Sequence, residues 1–147
     1  MNTILQVDLA QVRDMVHLFD GYRIFYGQQS NIHAATLFLN ERIKNQESII
    51  FTSYIDGKAV GFVQLYFTFS SVSLEPSLIL NDLYVDPIFR NKNIGKDLLL
   101  KAQEYCTSHN YKGLALETAV DNPAQKLYEK LGWKKDSHCF HYFWSVK

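Results

Sequence analysis

Apolar residues recur along the chain with two periods, one of three to four residues and one of two, which predict helices and strands respectively. A short apolar start at residues 3–7 predicts a strand. A helical period then runs through Val12, Val16 and Phe19, and Asp8 is suited to cap its first turn. A second helical period covers residues 34–43, with Asn31 near its start.

The middle of the chain predicts three consecutive strands. Residues 48–71 contain two β-rich runs on either side of Asp56-Gly57, a dipeptide that favours a two-residue hairpin turn. A third run at residues 77–85 follows a break at Glu75-Pro76. Short connections between successive strands predict an antiparallel meander.

The second half of the chain returns to a helical period. One apolar stripe after the segment "RNKNIGK" predicts an amphipathic helix, with Leu99 at its edge and Leu100 outside it. The stripe consists of Ile94, Leu98, Ala102, Tyr105 and Cys106. The run "GLALET" at residues 113–118 predicts a buried strand, so that strand, helix and strand form a βαβ unit with a parallel pair.

The last part predicts a short helix and a final strand. The helix covers Pro123 to Leu131, with Asn122 as its N-cap and Gly132 at its end. The aromatic run at residues 138–146 predicts the strand. The whole pattern predicts a mixed α/β (α+β) fold in a single domain, residues 1–147.

Composition narrows the class of protein. The chain has 147 residues, of which 47% are hydrophobic, and this favours a folded soluble domain. Its 15 basic and 15 acidic residues give a net charge of +0, so we expect no nucleic-acid partner. Two cysteines, Cys106 and Cys139, do not make a disulfide framework. Without a signal-peptide pattern or an apolar run of about 18 residues, we expect a cytoplasmic protein that does not bind membranes.

The segment "RNKNIGK", residues 90–96, connects a predicted strand to a predicted helix. Helix N-termini offer unpaired N–H donors and a positive dipole end, which suit a phosphate. Gly95 allows close approach of a ligand, and Arg90, Lys92 and Lys96 add positive charge. The segment matches neither a P-loop nor a dinucleotide fingerprint. An ordinary exposed turn would have the same composition.

Three segments together resemble the GNAT N-acetyltransferases. "RNKNIGK" resembles the acetyl-CoA pyrophosphate loop of that family, "LYVDP" before it resembles the splayed cofactor strand, and "AQKLYEKLGW" resembles the second conserved block. The resemblance covers most of the chain, although residues before about Ser48 match only in pattern. It implies a mixed, mostly antiparallel sheet flanked by about four helices, with acetyl-CoA as co-substrate and no metal.

The resemblance also implies the residues that bind acetyl-CoA. They are Leu83, Tyr84, Val85, Arg90, Asn91, Lys92, Asn93, Ile94, Gly95, Lys96 and Asn122. Asn93 stands where the family has its first loop glycine, and asparagine is the residue besides glycine best able to adopt a positive φ. The asparagine of the second block is shifted, because Asp121 occupies the family position and Asn122 follows it.

The activity that the resemblance implies is acetyl transfer to a primary amine without an acyl-enzyme. Tyr128 matches the family's proton donor to the leaving thiolate, although its helical position also suits a core residue. Asp82 is the candidate base, with Glu117 as a weaker one. The sequence around Asp82 is similar to that of spermidine/spermine N-acetyltransferases, but Asn81 stands here where those proteins have an acidic residue. His138, Cys139 and His141 lack a fourth ligand for a metal.

The sequence leaves three functions open. The first is an N-acetyltransferase for a small amine, an amino acid or a lysine side chain. The second is a CoA-binding module without catalysis, and the third is an unrelated phosphate or nucleotide binder. The sequence does not decide between a monomer and a homodimer.

Overall fold

A computed structural model describes residues 2–146 of the chain. The strands are β1 (Thr3–Gln6), β2 (Ser48–Ile55), β3 (Lys58–Ser70), β4 (Glu75–Val85) and β5 (Leu114–Ala115). The helices are α1 (Val12–Phe25), α2 (Ile32–Lys44), α3 (Ile94–Ser108) and α4 (Gln125–Lys130), with short 3-10 turns at Leu9–Gln11 and Pro87–Phe89. Residues 2–117 form one compact unit and residues 118–146 a second, and each is described by itself.

The five strands form one sheet in the order of the chain, β1-β2-β3-β4-β5. The first three pairs are antiparallel, and β4 pairs with β5 in parallel through the crossover helix α3. The predicted mixed α/β fold with a mostly antiparallel sheet is therefore confirmed. At the predicted hairpin, Asp56 and Gly57 both have positive φ, 49° and 77°.

Local caps explain where the first two helices begin. Asp8 and Gln11 form a capping box at the 3-10 turn that leads into α1. Asn31 caps α2, and its side-chain oxygen accepts from the Ala34 N–H at 3.0 Å. The connection between these helices is fixed by the buried Asp20, which accepts from the Asn31 N–H at 2.8 Å.

Helices cover both faces of the sheet. Phe62 of β3 belongs to a core cluster with Phe19 and Leu39, so α1 and α2 lie on the face to which Phe62 points. Its neighbour Gly61 points to the opposite face, because successive side chains of a strand alternate. There, α3 packs so closely that a Cβ added to Gly61 would lie 3.1 Å from Ile94.

Four expectations about boundaries need correction. Glu75 and Pro76 do not break the sheet but begin β4, where proline is tolerated as one of the first residues of a strand. The predicted buried strand at residues 113–118 is only two residues long and partly exposed. Its ladder with β4 ends at the pair Ile79 and Ala115.

The predicted final strand is absent from residues 138–146 as described, and the large side chains there are more than four-fifths exposed. Aromatic composition favours a strand only where a neighbouring strand completes the ladder.

The short helix begins at Gln125 rather than at Pro123, and its N-cap is Ala124. Asn122 instead accepts from the Ala124 N–H at 2.9 Å and closes a turn before the helix.

We expect Gly61→Ala to destabilise the protein by about 1–3 kcal/mol, the usual range for overpacking a core. The added methyl group would lie 3.1 Å from the Tyr84 carbonyl oxygen and 3.3 Å from Leu98, and a strand carbonyl cannot move away as a flexible side chain can. Urea unfolding measures the difference. Gly113→Ala is the matched control, since nothing lies within 4 Å of its new Cβ, and the two variants should not unfold alike.

Candidate functional site

An extra residue in β4 changes which face of the sheet its side chains occupy. Gln64 of β3 pairs with Asp82, but the next residue, Leu65, pairs with Leu80, so Asn81 has no partner and forms a β-bulge. Without the bulge, the alternation of β4 would place Asp82 on the face of Leu80, against α3. With it, Asp82 lies on the same face as Gln64, under α1 and α2.

The bulge also fixes the direction of the backbone donors at the end of β4. The Asp86 N–H donates to the Val60 carbonyl of β3 at 2.8 Å, so the backbone of Tyr84 also faces β3. The N–H groups of Leu83 and Val85 therefore face the opposite side.

On that opposite side β4 has no strand partner beyond Ile79, as far as residues 2–146 show. Arg90 uses part of this edge, since its Nε donates to the Val85 carbonyl at 3.1 Å. The N–H groups of Leu83 and Val85 can therefore donate to a ligand at the edge of the sheet.

The carboxylate of Asp82 is only 2% exposed and is held by polar neighbours on three sides. Gln64 Nε2 donates to Asp82 Oδ2, and Asn81 Nδ2 donates to Asp82 Oδ1 at 2.8 Å. The Tyr22 hydroxyl lies beside it and donates to the Asn81 carbonyl at 3.2 Å. Burial raises the pKa of Asp82, and the hydrogen bonds from Gln64 and Asn81, together with the nearby Tyr22 hydroxyl, offset part of that rise.

Two tyrosines share the environment of Asp82. Burial, followed by the nearby Asp82 charge, raises the pKa of Tyr22, and the same two causes raise the pKa of Tyr66 to about 12. Both phenols therefore stay protonated near neutral pH and can donate hydrogen bonds. Beneath them, Gln64 Oε1 is buried without a hydrogen-bond partner in the described structure.

Asp82 lies in a cavity of about 360 Å³ between α1, α2 and the sheet. Its lining is aromatic and small apolar, with charged groups at two points. The residues are Phe19, Tyr22, Arg23, Ala34, Ala35, Phe38, Tyr66, Asn81 and Asp82. We call this the α1–α2 pocket. A buried carboxylate within apolar walls is an arrangement typical of a small-molecule site.

A larger cavity of about 640 Å³ lies at the start of β4, beside Pro76 and Phe69. Its single acidic group, Asp8, is exposed and caps a turn. It therefore has no buried ionisable group with which to do chemistry, and the α1–α2 pocket is the better candidate.

The segment at residues 90–96 forms a tight turn into α3. Asn91 and Asn93 both have φ of 63°, so asparagine does adopt the left-handed conformation at the position of the family glycine. The first hydrogen bond of α3 runs from the Asp97 N–H to the Asn93 carbonyl at 3.0 Å. The N–H groups of Ile94, Gly95 and Lys96 precede that bond and can donate to an anion.

Cations surround this turn. Arg90 lies over the Tyr84 ring at 5.7 Å, and Lys92 lies over Phe89 at 5.4 Å. Lys58, at the start of β3, lies over the same phenylalanine at 5.3 Å. Sequence reasoning missed Lys58, because the hairpin brings it to the turn from more than thirty residues away.

Asn122 and Tyr128 belong to the second unit. The side chain of Asn122 donates to Thr118 Oγ1 at 2.8 Å and accepts from the Ala124 N–H. The half-buried Tyr128 lies in α4, with its ring 6.1 Å from that of Trp133. The roles assigned to both residues remain predictions.

Sequence reasoning also missed Gln64, Tyr22 and Tyr66. Gln64 stands alone as a polar residue within the apolar run of β3, and this was the available signal. Within residues 2–146, no three His, Cys, Asp or Glu side chains are grouped as metal ligands. The described part of the chain also has no helix with the length and apolar character needed to cross a membrane.

Comparisons with known proteins agree on one family. Residues 14–133 match the model of the Acetyltransferase (GNAT) family. The chain is 40% identical over 144 residues to an uncharacterized N-acetyltransferase, YhfO, of Bacillus subtilis (strain 168), covering 97% of each chain.

Solved structures show the same fold. A crystal structure of a probable acetyltransferase has a TM-score of 0.92 at 34% identity, covering 99% of this chain and 98% of that one. An aminoglycoside N-acetyltransferase, AAC(6')-Iy, in complex with CoA has a TM-score of 0.79 at 21% identity, covering 97% and 94%. At that identity the second likeness supports the fold alone.

We expect Asp82→Asn to stabilise the protein at neutral pH and to lose this advantage in acid. Because burial raises the pKa of Asp82, the unfolded chain ionises this group at lower pH than the folded chain does. The ionised carboxylate therefore lowers the free energy of unfolding as the pH rises from its ordinary pKa through the raised one. The new amide can bond to Gln64 after rotation of that side chain.

The measurement is Tm from about pH 4 to pH 8, in which each kcal/mol corresponds to roughly 2–4 °C for a chain of this size. Asp121→Asn is the control, since it makes the same replacement at an exposed position. A difference in Tm between Asp82→Asn and wild type that stays constant across this pH range would contradict the raised pKa of Asp82.

Proposed function

The chain belongs to the GNAT family of acetyltransferases, and we propose that it transfers the acetyl group of acetyl-CoA directly to a primary amine. The observation that carries the amine assignment is the buried Asp82 carboxylate in the α1–α2 pocket. Asp82 directly precedes the Leu83–Val85 stretch, whose outward N–H groups face the open edge of the sheet. One strand thus supplies both a proton acceptor and hydrogen-bond donors.

The residues at the turn fit the co-substrate of the family, acetyl-CoA. Three unpaired N–H groups at the start of α3, together with Lys58, Arg90 and Lys92, provide donors and positive charge for a pyrophosphate. Gly95 has no Cβ between its backbone and a ligand. When bound, acetyl-CoA supplies the acetyl group as a thioester.

The role proposed for Asp82 is to take a proton from the incoming amine. A lysine-like amine has a pKa of about 10.4 and is mostly an ammonium ion near neutral pH, so it must lose a proton before its nitrogen can attack. The raised pKa of Asp82 makes the carboxylate a stronger proton acceptor than an ordinary one. The nitrogen then forms a bond to the acetyl carbon as the carbon–sulfur bond breaks.

The N–H groups of Leu83 and Val85 are proposed to stabilise the negative charge that develops on the acetyl oxygen. Fixed donors at the site of developing charge are the largest single contribution in many acyl transfers. The second proton of the amine is released as the amide forms, and the departing sulfur needs one. Tyr128 is proposed to donate it from its hydroxyl, and Asn122 to contact the pantetheine arm.

The acceptor is proposed to be a small amine, an amino acid or a lysine side chain. A polyamine of the spermidine/spermine type has less support, because the residue before Asp82 is the neutral Asn81 and the pocket wall contains Arg23. A cytoplasmic location and a homodimer are predictions from the sequence.

The direct test is incubation of the protein with acetyl-CoA and a panel of amines. Acetylated products should be identified by mass spectrometry, because the exposed thiol of Cys139 would react with a thiol reagent. Binding of acetyl-CoA without acetylation of any amine would favour a CoA-binding module that lacks catalysis.

We expect Gly95→Glu to fold but to lose its response to acetyl-CoA. An added Cβ would meet only Val85, at an ordinary 3.8 Å, whereas the carboxylate would oppose the pyrophosphate. A ligand at 100 times its Kd should stabilise the wild type by about 2.7 kcal/mol, visible as a rise in Tm.

Gly113→Glu places the same side chain at an open position outside the turn and should respond like the wild type. Equal stabilisation of Gly95→Glu and the wild type would remove residues 90–96 from the acetyl-CoA site.

We expect Tyr128→Phe to lower kcat about tenfold to a hundredfold, while the Kd for acetyl-CoA changes only a few-fold. A positioned acid is worth about 10²–10⁴-fold, and the lower end applies because a thiolate is already a fair leaving group. Single-turnover experiments confirm that the chemical step is measured.

Tyr111→Phe is the matched control, since it removes a phenol from a residue outside both the α1–α2 pocket and α4. A folded Tyr128→Phe protein with unchanged single-turnover rates would show that Tyr128 only packs.

A further inference from the structure

The charges in the α1–α2 pocket are of opposite sign and lie on different elements. Asp82 comes from β4, while Arg23 lies on α1 together with Phe19 and Tyr22. Of the nine residues that line the cavity, Asp82 and Arg23 are the two that carry charge. A ligand that satisfies both must have a positive and a negative group.

Arg23 retains donors for such a ligand. Its Nη1 donates to the Gln29 carbonyl at 3.3 Å and lies 3.9 Å from Asp20 Oδ1. These contacts fix the guanidinium while Nε and Nη2 are not used by them. A guanidinium with donors to spare binds a carboxylate strongly, with two parallel hydrogen bonds where the geometry allows.

A second positive charge on the ligand would be unfavourable. Besides Arg23, Arg42 lies near the pocket, with its guanidinium 4.4 Å from the centre of the Phe38 ring and its charge lowering the pKa of Tyr66. Arg42 is itself paired with Glu41 and Glu47. A polyamine held at Asp82 would therefore bring its other ammonium groups towards cations.

The remaining walls are apolar and aromatic. Phe19 and Phe38 stack with their ring centres 5.9 Å apart, and Ala34 and Ala35 complete that side. The volume of about 360 Å³ is at the small end of the range for ligand sites, about 300–1,000 Å³. These walls suit one apolar or aromatic side chain rather than a large sugar-like molecule.

We propose that the acceptor is a free α-amino acid with an apolar or aromatic side chain, whose ammonium group binds Asp82 and whose carboxylate binds Arg23. The inference rests on the proposed acetyl transfer and specifies its substrate class. In the reaction the amino nitrogen forms a bond to the acetyl carbon and the carbon–sulfur bond breaks. The ammonium loses two protons, one to Asp82 and one that restores the Tyr128 hydroxyl after it has protonated the departing sulfur, so that an N-acetyl amino acid and CoA result.

The test compares four probes on the wild-type protein: L-phenylalanine, L-phenylalanine amide, 2-phenylethylamine and spermidine. Binding is measured by calorimetry and turnover by mass spectrometry of the product. A hydrogen bond to a charged group is worth about 1.5–3 kcal/mol, so L-phenylalanine should exceed the amide about tenfold to a hundredfold in affinity and in kcat/KM. Spermidine should be the poorest probe.

Arg23→Gln should remove this preference for the carboxylate, so that L-phenylalanine and its amide differ by less than about threefold in affinity and in kcat/KM. Arg23→Lys keeps the charge without the forked donors and should retain part of the preference. If Arg23→Gln does not fold, the comparison of acid with amide on the wild type still decides the question.

The calorimetric arm separates the two proposals. Carboxylate-dependent binding without acetylation of any probe would support the pocket assignment and contradict the proposed catalysis. Acetylation of the amide, the phenylethylamine or spermidine at least as fast as L-phenylalanine would support catalysis and overturn the amino-acid assignment. A lack of measurable binding by L-phenylalanine would overturn it as well.

Discussion

The insertion of Asn81 into β4 is the constraint on which the rest of the site depends. A strand exposes alternate side chains on alternate faces, so a single unpaired residue moves every later side chain to the other face. Through this bulge Asp82 leaves the α3 face and lies beside Gln64 under α1 and α2. The hydroxyl of Tyr22 donates to the bulge carbonyl, so α1 is attached to the strand at this point. The same shift turns the N–H groups of Leu83 and Val85 towards the open edge of the sheet.

Burial of Asp82 is destabilising, and the neighbouring groups limit its effect without removing it. Gln64 and Asn81 donate hydrogen bonds to the carboxylate, which favour its charged form, while burial favours the neutral one and prevails. A structural role alone would not require an ionisable group here, because an amide of the same shape could make comparable bonds. A carboxylate whose pKa is raised in a cavity is, however, suited to bind an ammonium group and take its proton. The proposed function therefore gives a reason for this instability that folding alone does not.

Much of the fold could be predicted from local pattern, since periods, caps and turn residues act over a few positions. The first two helices, the hairpin at Asp56-Gly57 and α3 with its exposed Leu100 are confirmed. The bulge could not be predicted, because "LILNDLYV" alternates as well without it and would place Leu80 and Asp82 on one face. The prediction of a final strand was wrong for a related reason. Aromatic residues at 140–146 favour a strand, but pairing depends on a neighbouring strand that composition does not specify.

The same distinction applies to the site. The turn at residues 90–96 was recognisable because its donors belong to consecutive residues, and the left-handed Asn93 shows that an asparagine can serve there in place of glycine. The α1–α2 pocket was not recognisable, since Arg23, Tyr66 and Asp82 are far apart in the sequence and line one cavity only when α1 packs on the sheet. A family can therefore be assigned from the contiguous turn that it shares, whereas the proposal for the acceptor rests on scattered pocket residues. Under the proposed function, the opposite charges of Asp82 and Arg23, rather than the turn, determine which amine this chain selects.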